Sequence, residues 1–387
     1  MATELAFALI NPYSIAKSRT GGILGRFMSR TGLELVEARM FGPSLELTRR
    51  YAEQVRAETD GSAVTRDILA SYIERAYTPD PVTGRRRRVL LLLFEGENAA
   101  EKINSVAGPI RSNMEAGETV RDTYGDFILG ESGEARYVEP AVLVGTTPET
   151  VKNTLRLWAE YSETDGGLIE NATDTSFAKT PEKTLVLIKP DNFKFPSARP
   201  GNIIDLFSRS GLRIIGAKMH RMSVSEAEHF YGPVRDILRT KLCDVVSRRA
   251  ARALQAEFNL EIPADIQRLL GEKLGPHFGD QQFYQIIHFM TGQWAQKLEG
   301  PGRDAAGLQR CLALVYTGPD AVNKIRSILG PTDPLMAPSG SVRREFGQDI
   351  MVNAAHASDS PENAKREMAI IRVEKDAIKP CINKYFN

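Results

Sequence analysis

Cysteine is scarce in this sequence, and the three that occur lie far apart. They stand at Cys243, Cys311 and Cys381 in a chain of 387 residues. This spacing gives neither the close pairs of a zinc site nor the clustered framework of a disulfide-rich secreted domain. The cysteine content therefore predicts a protein of a reducing compartment, and we expect a cytoplasmic location.

A strong net charge and long apolar runs are also missing. The formal net charge is +1, which gives no reason to expect nucleic acid or a membrane surface as a partner. The longest apolar run, residues 89–94, has the length of a strand, whereas a helix that crosses a bilayer needs about 20 apolar residues. Residues 1–13 include Glu4 and lack the basic segment of a signal peptide. We therefore expect neither membrane insertion nor nucleic-acid binding.

Four consecutive arginines, Arg85 to Arg88, precede the apolar run at 89–94 and are the one local excess of charge. A solvated loop is the simplest interpretation of such a run. A role in binding phosphate or nucleic acid is the alternative that the sequence leaves open.

An internal repeat governs the layout of the chain. Five stretches of the first half match five of the second half in the same order: 7–12 with 185–190, 22–33 with 201–212, 89–94 with 311–316, 102–109 with 324–331, and 120–125 with 342–347. A common order over such a length indicates two copies of one domain. We predict a first copy at 1–162, a linker at 163–181 that is rich in polar residues, and a second copy at 182–387.

The order of elements in each copy predicts the fold class. In the second copy we predict strands at 184–188, 212–219 and 311–316, and helices at 201–210, 283–290 and 321–329. A short helix capped by Ser223 or Ser225 should run through Tyr231. This βαββαβ order predicts an α+β protein of two tandem ferredoxin-like domains, each an antiparallel sheet with helices on one face.

The second copy is longer than the first between Tyr231 and Cys311. We place an insert at about 233–280, where charged residues and helical spacing predict two helices. The insert is either a structural elaboration or a lid or contact surface.

A stretch near the end of the chain, residues 353–367, carries the chemistry. It follows the apolar run 350–352, which we predict to be the end of a short strand. Asp359 or Ser360 can cap a helix that starts at Pro361, which places His356 between a strand and a helix N-terminus that favours anions. A neutral histidine can attack a phosphoryl group. Glu367 lies about three helical turns further on, so the helix can aim its carboxylate at the ring.

The order Asn353-x-x-His356-x-Ser358-Asp359 resembles the active-site signature of nucleoside diphosphate kinases, with Ala357 at the family's usual glycine. The resemblance extends through Ile188-Lys189-Pro190-Asp191 and has no gap from Arg326 to Glu367. It implies that His356 is the nucleophile and that Glu367 orients it. It further implies phosphate or ribose contacts from five residues: Lys189, Arg326, Thr332, Arg343 and Asn353.

The resemblance also assigns the remaining parts of the site. Tyr231 should pack beside the histidine, and Mg²⁺ should accompany ATP or another nucleoside triphosphate as the phosphate donor, with no metal ligand expected from the protein. The family's base-stacking phenylalanine falls on Gln282, so Phe283 is its stand-in. Members of the family form oligomers, which implies an intramolecular pseudo-dimer of the two copies and leaves a homo-oligomer open.

The first copy lacks this chemistry. Asn11 stands at the position of Lys189, Asn104 at that of Arg326, and all five histidines lie at 220 or beyond. Aligning 147–149 with 360–362 puts Leu143 opposite His356. A phosphohistidine mechanism is therefore impossible in this copy.

The sequence supports two classes of function. The first is a nucleoside diphosphate kinase that moves the terminal phosphate between nucleoside triphosphates and diphosphates by a ping-pong phosphohistidine mechanism. The alternative is a nucleotide-binding or scaffolding protein without catalysis, and transfer from His356 to a protein is a third interpretation. The complete residue set of the second copy favours the enzyme.

Overall fold

The first copy folds into a four-stranded sheet, a two-stranded hairpin and seven helices among the described residues. The computed structural model of the chain describes residues 3–110, 117–129, 135–172 and 181–386. The elements of the first copy are β1 (Glu4–Ile10), α1 (Pro12–Ala16), α2 (Thr20–Thr31), β2 (Glu34–Phe41), α3 (Leu45–Ala57), α4 (Ala63–Tyr77), β3 (Val89–Gly96), α5 (Ala99–Ala107), α6 (Val120–Tyr124), β4 (Asp126–Leu129), β5 (Ala135–Glu139), β6 (Val142–Val144) and α7 (Pro148–Glu160).

The second copy repeats this order with a longer helical part. Its elements are β7 (Glu182–Ile188), α8 (Arg199–Ser208), β8 (Arg213–His220), α9 (Val224–Lys241), α10 (Cys243–Phe258), α11 (Ala264–Thr291), β9 (Cys311–Gly318), α12 (Ala321–Leu329), α13 (Val342–Phe346), β10 (Ala355–Ala357), α14 (Pro361–Ile371) and α15 (Ile378–Phe386). The predicted strands at 184–188, 212–219 and 311–316 and the predicted helices at 201–210 and 321–329 are confirmed to within a few residues.

The two copies have the same sheet topology. The first sheet has the order β2-β3-β1-β6 and the second has the order β8-β9-β7-β10. The edge pairs have matching registers, because Leu9 pairs with Leu143 in the first sheet and Leu187 pairs with His356 in the second. The predicted α+β fold of two tandem ferredoxin-like copies is confirmed, and the strand register itself places Leu143 at the position of His356.

Alternation along β1 sends side chains to two different cores. Ala6, Ala8 and Ile10 join a core that contains α2, α5 and the corresponding face of the second sheet. Leu5, Phe7 and Leu9 face a separate core built from α3, α4, α7 and α15. The first sheet is therefore covered on both faces, which the sequence analysis did not predict. The second cover includes α15, the last helix of the chain, which packs on α7 and β2.

Helices α2 and α8 hold the two copies together. Their backbones approach so closely that a Cβ added at Gly21 would lie 2.3 Å from the carbonyl oxygen of Gly201. Glycine is needed here because no larger residue allows this approach. The segment after α7 also joins the two sheets, since Gly167 N–H bonds to Met40 O at 2.9 Å and Ile169 N–H to Ile215 O at 2.8 Å. Part of the predicted linker therefore bridges the edge strands β2 and β8, and residues 173–180 lie outside the described part.

The chain divides into two compact units, and the division does not follow the repeat. One unit comprises Met1–Met219 with Leu312–Asn387, and the other is His220–Cys311. Both copies thus belong to one unit, while the predicted insert at about 233–280 and its flanks form the second. The boundaries at 162 and 181 stay a prediction.

The helical unit, His220–Cys311, corrects the predicted length of one helix. Helix α9 does not end near Tyr231 but continues to Lys241 through Pro233. Its start is as predicted, because Ser223 and Glu226 form a reciprocal capping box. Two further helices follow, and the predicted helix at 283–290 is the last part of α11. Proline is disfavoured within helices, but this helix accommodates Pro233.

Among the residues that the structure describes, no helix combines the length and apolar character that a membrane span requires. All three cysteines carry free thiols, and burial raises the pKa of the Cys381 thiol to about 12.

Candidate functional site

His356 lies on β10, the edge strand of the second sheet, directly opposite Leu187. The predicted strand at 350–352 is wrong, because this stretch is a loop whose N–H groups at Met351 and Val352 both bond to Asp349 Oδ1 at 2.7 Å. A local side-chain acceptor of this kind competes with strand pairing. The short strand begins only at Ala355, so the histidine is held by a sheet ladder rather than on a turn.

A tight turn aims β10 into the site. Ala354 has φ of +68°, and Ala355 N–H bonds to Asn353 O at 2.8 Å, which closes a three-residue turn around Ala354. The first copy has the same turn, with φ of +60° at Ala141. A positive φ is costly for alanine, and such strain often occurs at functional sites. Here the turn is retained in a copy without the histidine, so it belongs to the fold as well as to the site.

Glu367 contacts the ring of His356. Its Oε2 atom lies 3.0 Å from His356 Nε2 and accepts a 2.7 Å hydrogen bond from Ser358 Oγ. Helix α14 supplies the carboxylate, and Ser360 caps this helix through Asn363 N–H, as the sequence predicted. Glu367 is 4% exposed, while the His356 side chain keeps 22% exposure. The carboxylate is therefore fixed within the protein and the ring still reaches solvent.

Ser358 is a member of this arrangement that the candidate list omitted. Its side chain is fully buried and donates to the same carboxylate oxygen that faces the histidine. The signal was present, since Ser358 belongs to the signature stretch. Its role could be recognised only once the direction of α14 was known.

Lys189 and Asn353 form a buried polar pair beside β10. Lys189 Nζ donates to Asn353 Oδ1 at 2.6 Å and to Met351 O at 3.1 Å. Asn353 Nδ2 in turn donates to Thr332 O at 3.0 Å. Burial, and then the nearby Arg343 charge, lower the pKa of Lys189 to about 8. The charges of Asp191 and Asp349 act in the opposite direction and favour the positive form of this lysine.

Two arginines complete the positive side of the site. Arg343 on α13 donates to Gly330 O at 2.9 Å and to Ala355 O at 3.3 Å, which ties its guanidinium to the residue before His356. Arg326 is exposed in the last turn of α12, and this helix packs against β10. Thr332 is also exposed. The structure therefore gathers His356, Glu367, Lys189, Asn353 and Arg343 closely, with Arg326 and Thr332 on the adjoining surface.

The Lys-Pro-Asp stretch contributes further residues that the candidate list omitted. Asn192 Nδ2 donates to Ala354 O at 2.8 Å and to Lys189 O at 3.1 Å, so it fastens β7 to the turn before β10. Asp191 is 9% exposed, and burial raises its pKa above the usual carboxyl range. Lys189 and then Arg199, which lies 3.7 Å away, act in the opposite direction and lower this pKa. These residues support the position of Lys189 from behind.

Tyr231 and Phe283 belong to the helical unit. Tyr231 is buried on α9 and packs on Phe230, with ring centroids 5.0 Å apart. Phe283 is 2% exposed on α11, and the guanidinium of Arg235 lies 5.4 Å from the centre of its ring. Both side chains are thus parts of the packed helical core.

The described residues contain no group of three His, Cys, Asp or Glu side chains arranged to hold a metal ion.

The first copy fills the corresponding place with a neutral and acidic network. Tyr77 donates to Asn11 Oδ1 at 2.7 Å, and Asn11 Nδ2 donates to Glu139 Oε1 at 3.3 Å. Tyr72 donates to both oxygens of Glu139, at 2.9 and 2.8 Å. The first copy thus has a buried amide, bonded to a carboxylate, where the second copy has a lysine. The sequence predicted Asn11 and Leu143 at the positions of Lys189 and His356 but not the contacts of Asn11 with Tyr77 and Glu139.

Comparisons with known proteins agree on one family. A family model described as nucleoside diphosphate kinase matches residues 182–254 and 304–376, both within the second copy. The nucleoside diphosphate kinase of Kosmotoga olearia is 30% identical over 189 residues, which are 49% of this chain and 87% of that protein. That of Helicobacter pylori strain Shi470 is 30% identical over 195 residues, 50% of this chain and 98% of that protein.

Solved structures give the same name. A crystal form of the Aquifex aeolicus nucleoside diphosphate kinase is 25% identical, with a TM-score of 0.32, over 52% of this chain and 99% of that one. An NDP kinase from Pyrobaculum aerophilum is 27% identical, also with a TM-score of 0.32, over 49% of this chain and 95% of that one.

Proposed function

Since this chain belongs to the nucleoside diphosphate kinase family, we propose that its second copy transfers the terminal phosphoryl group of a nucleoside triphosphate to a nucleoside diphosphate through His356. The observation that carries the proposal is the His356–Glu367 pair, 3.0 Å apart, beside the cations Lys189 and Arg343. A histidine that is oriented by a carboxylate and flanked by phosphate-binding groups has the parts that phosphoryl transfer requires.

In the first half-reaction the ring acts as a nucleophile. If Nε2 carries the proton and donates it to Glu367, the lone pair lies on Nδ1. Nδ1 attacks the terminal phosphorus, a P–N bond forms, and the bond from that phosphorus to the bridging oxygen breaks. The nucleoside diphosphate leaves with the electron pair. In the second half-reaction the terminal oxygen of another diphosphate attacks the phosphohistidine, the P–N bond breaks, and the neutral ring is restored.

Glu367 has two tasks in this scheme. It fixes the tautomer, and its negative charge stabilises the ring as the ring becomes positive during P–N bond formation. Ser358 holds the carboxylate in place through its 2.7 Å hydrogen bond.

The phosphates are bound by the groups around β10. Arg343 and Arg326 offer planar guanidinium forks that match phosphate oxygens, and Lys189 offers a compact charge. Thr332 and Asn353 supply a hydroxyl and an amide for phosphate or ribose. Mg²⁺ enters as part of the substrate, bound to the phosphates of ATP or another nucleoside triphosphate, and neutralises charge there.

This chain offers fewer contacts to the base of the nucleotide than to its phosphates and sugar. Tyr231 and Phe283 are the proposed contacts of the helical unit, but Phe283 is buried beneath Arg235 and would have to rotate outward to stack on a base. With contacts concentrated on phosphate and sugar, we expect little discrimination among bases.

The first copy supports the second without catalysis. Its site position holds Leu143 and its phosphate position holds the Asn11–Glu139 network. In the proposed pseudo-dimer, α2 packs on α8 as a permanent partner within one chain.

Initial rates of transfer from ATP to several nucleoside diphosphates test the proposal. Varying donor and acceptor together should give parallel double-reciprocal lines, as a phosphoenzyme intermediate requires. Intersecting lines would indicate direct transfer between two bound nucleotides, and the absence of transfer would favour a nucleotide-binding protein without catalysis.

A further inference from the structure

A second candidate binding site lies between the first copy and the α8–β8 region. It is a cavity of about 910 Å³ beside α1, α4 and the loop that precedes β3. This volume is in the range of sites for ligands of nucleotide size. None of the residues assigned to the catalytic site lines it. We call it the arginine cavity, after the six arginines in its wall: Arg75, Arg85, Arg86, Arg87, Arg88 and Arg213.

The charge of the arginine cavity is strongly one-sided. Against six guanidinium groups, the wall has two acidic residues, Asp80 and Glu139. The Asp80 carboxylate accepts hydrogen bonds from Thr83 N–H and Thr83 Oγ1 at 2.7 and 2.8 Å, so much of its capacity is used within its own turn. Burial raises the pKa of Glu139, which weakens the tendency of this group to carry a negative charge. Two of the arginines are paired with carboxylates, Arg86 with Asp165 at 2.9 Å and Arg87 with Asp80 at 3.8 Å. Among the described residues, the wall still has more arginines than acidic side chains.

Several of these arginines are fixed by contacts with the protein. Arg86 Nη1 bonds to Asp165 at 2.9 Å and to Gly42 O at 2.5 Å. Arg88 Nη1 donates to Ile214 O at 2.6 Å. Guanidinium groups held in this way keep further N–H donors in a rigid fork, because each has five. The wall thus holds its cations in place before any ligand arrives.

Arg88 is desolvated in this wall. Burial, and then the charge of Arg213, lower the pKa of Arg88 to about 10.

Aromatic rings lie beside the cations. Arg75 packs over the rings of Tyr72 and Tyr137, at 5.8 and 5.7 Å from their centres, and Arg19 lies 5.4 Å from the centre of Tyr13. All three tyrosines line the arginine cavity. Tyr72 is 2% exposed and lies within the wall, whereas Tyr13 and Tyr137 are half-buried and offer apolar surface to the organic part of a ligand whose phosphates meet the arginines.

We propose that the arginine cavity binds an oligophosphate, a ligand with two or more linked phosphoryl groups, from a nucleoside or an inorganic source. Planar forks of arginine are the side chains that best match phosphate oxygens, and several together select for more than one phosphoryl group. The sequence left open whether the run Arg85–Arg88 binds phosphate. This proposal places that binding in the arginine cavity and names oligophosphates as the ligands. The site is independent of His356 and does not depend on the proposed reaction.

Calorimetric titration of the full-length chain tests the proposal. The Arg326→Ala background weakens the catalytic site, and the probe is inorganic tripolyphosphate at constant ionic strength. We expect one equivalent to bind, and we expect Arg85→Ser with Arg87→Ser to weaken this binding roughly 10- to 100-fold through the loss of charge-assisted contacts. The matched control is Arg49→Ser, on the exposed part of α3, which should change binding less than twofold. The melting temperature of each variant verifies that it is folded.

ATP as a competitor distinguishes the two sources. Displacement of tripolyphosphate by ATP assigns a nucleoside source, and binding without displacement assigns an inorganic one; each result supports an oligophosphate site. The proposal is overturned if tripolyphosphate does not bind the Arg326→Ala chain, or if the two serines leave its affinity unchanged, or if Arg49→Ser weakens it equally. Phosphoryl transfer by the Arg85→Ser, Arg87→Ser chain should stay within twofold of the parent chain, so failure here is separable from failure of the kinase proposal.

Discussion

A carboxylate that orients a histidine is the central feature at the scale of single residues. Glu367 is placed 3.0 Å from His356 Nε2 and is itself held by Ser358. Glu367→Gln keeps a hydrogen-bond acceptor but removes the charge that stabilises the phosphorylated ring. We expect transfer to slow roughly 10- to 100-fold with little change in nucleotide binding. Glu362→Gln, at the exposed start of the same helix, should leave both unchanged. If the Glu367→Gln chain transferred phosphate as fast as the parent chain, the orienting role of Glu367 would be contradicted.

Lys189 gives the site a pH dependence. Burial lowers its pKa to about 8, so the side chain is positive below that pH and neutral above it. Because the positive form binds phosphate, kcat/KM should fall as the pH rises through about 8 and should be flat just below it. The pH profile of kcat/KM measures this, and Lys189→Gln should remove the decline along with much of the affinity. Lys183→Gln, near the start of the same strand and paired with Glu170, should retain the decline. If kcat/KM of the Lys189→Gln chain still fell as the pH rises through about 8, the decline would belong to another group.

The sequence was informative about individual site residues wherever a residue type has one chemical use. His356 and Glu367 were named from the local sequence and the family resemblance, and Lys189, Asn353 and Arg343 were assigned through the resemblance. The structure places these five residues together. Ser358 and Asn192 were missed because their roles depend on which carboxylate or carbonyl lies opposite them, and that is decided by helix direction and strand pairing. The buried state of Phe283 was also beyond sequence spacing, since it results from how α9 and α11 pack.

At the scale of elements, the contact between α2 and α8 is the most constrained. A Cβ at Gly21 would clash with the backbone of α8, whereas a Cβ at Gly25 would lie at an ordinary 3.4 Å from Ala198 O. We therefore expect Gly21→Ala to destabilise the chain by about 1–3 kcal/mol or more, as overpacking does. Gly25→Ala should be neutral or stabilising by up to about 1 kcal/mol through helix propensity. Denaturant unfolding of both variants measures this difference, and equal effects would argue against the close approach.

The positions of helices and strands were predictable where the spacing of apolar residues and the capping residues indicate the same bounds. Strand β7 and helix α12 were found to within two residues, and Ser360 was found as a cap. The strand predicted at 350–352 failed because Asp349 captures the N–H groups of that stretch. Helix α9 was predicted too short, since it continues through Pro233 to Lys241. The error at 350–352 comes from a side-chain contact that the apolar period of the sequence does not reveal.

At the scale of the whole molecule, the repeat predicted two domains but not how they are joined. The joining depends on glycine contacts between α2 and α8, on the bridging segment at 166–169, and on α15, which crosses to the first copy. None of these contacts has a periodic signal, because each couples residues that lie far apart in the chain. The sequence could therefore suggest a pseudo-dimer but not its interface.

Expression of residues 181–387 alone tests whether the first copy has the supporting role. Removing it would uncover the face of α8 around Gly201 and Asp205, which now packs against α2. We expect a fragment that melts at lower temperature and self-associates, and analytical ultracentrifugation with thermal unfolding would measure both. The matched control is the full chain with Gly25→Ala, which alters α2 without exposing α8. A monomeric fragment as stable and active as the full chain would contradict the pseudo-dimer.

The central claim is that His356 carries the phosphoryl group, and labelling of the protein with terminally labelled ATP tests it most directly. The account predicts a phosphoenzyme that is stable to base, labile to acid, and discharged by any nucleoside diphosphate. His356→Ala should eliminate the label and the transfer with the fold intact, while His277→Ala, on the exposed surface of α11, should retain both. A folded His356→Ala chain that still acquires the label, or still transfers phosphate at a substantial rate, would contradict the account.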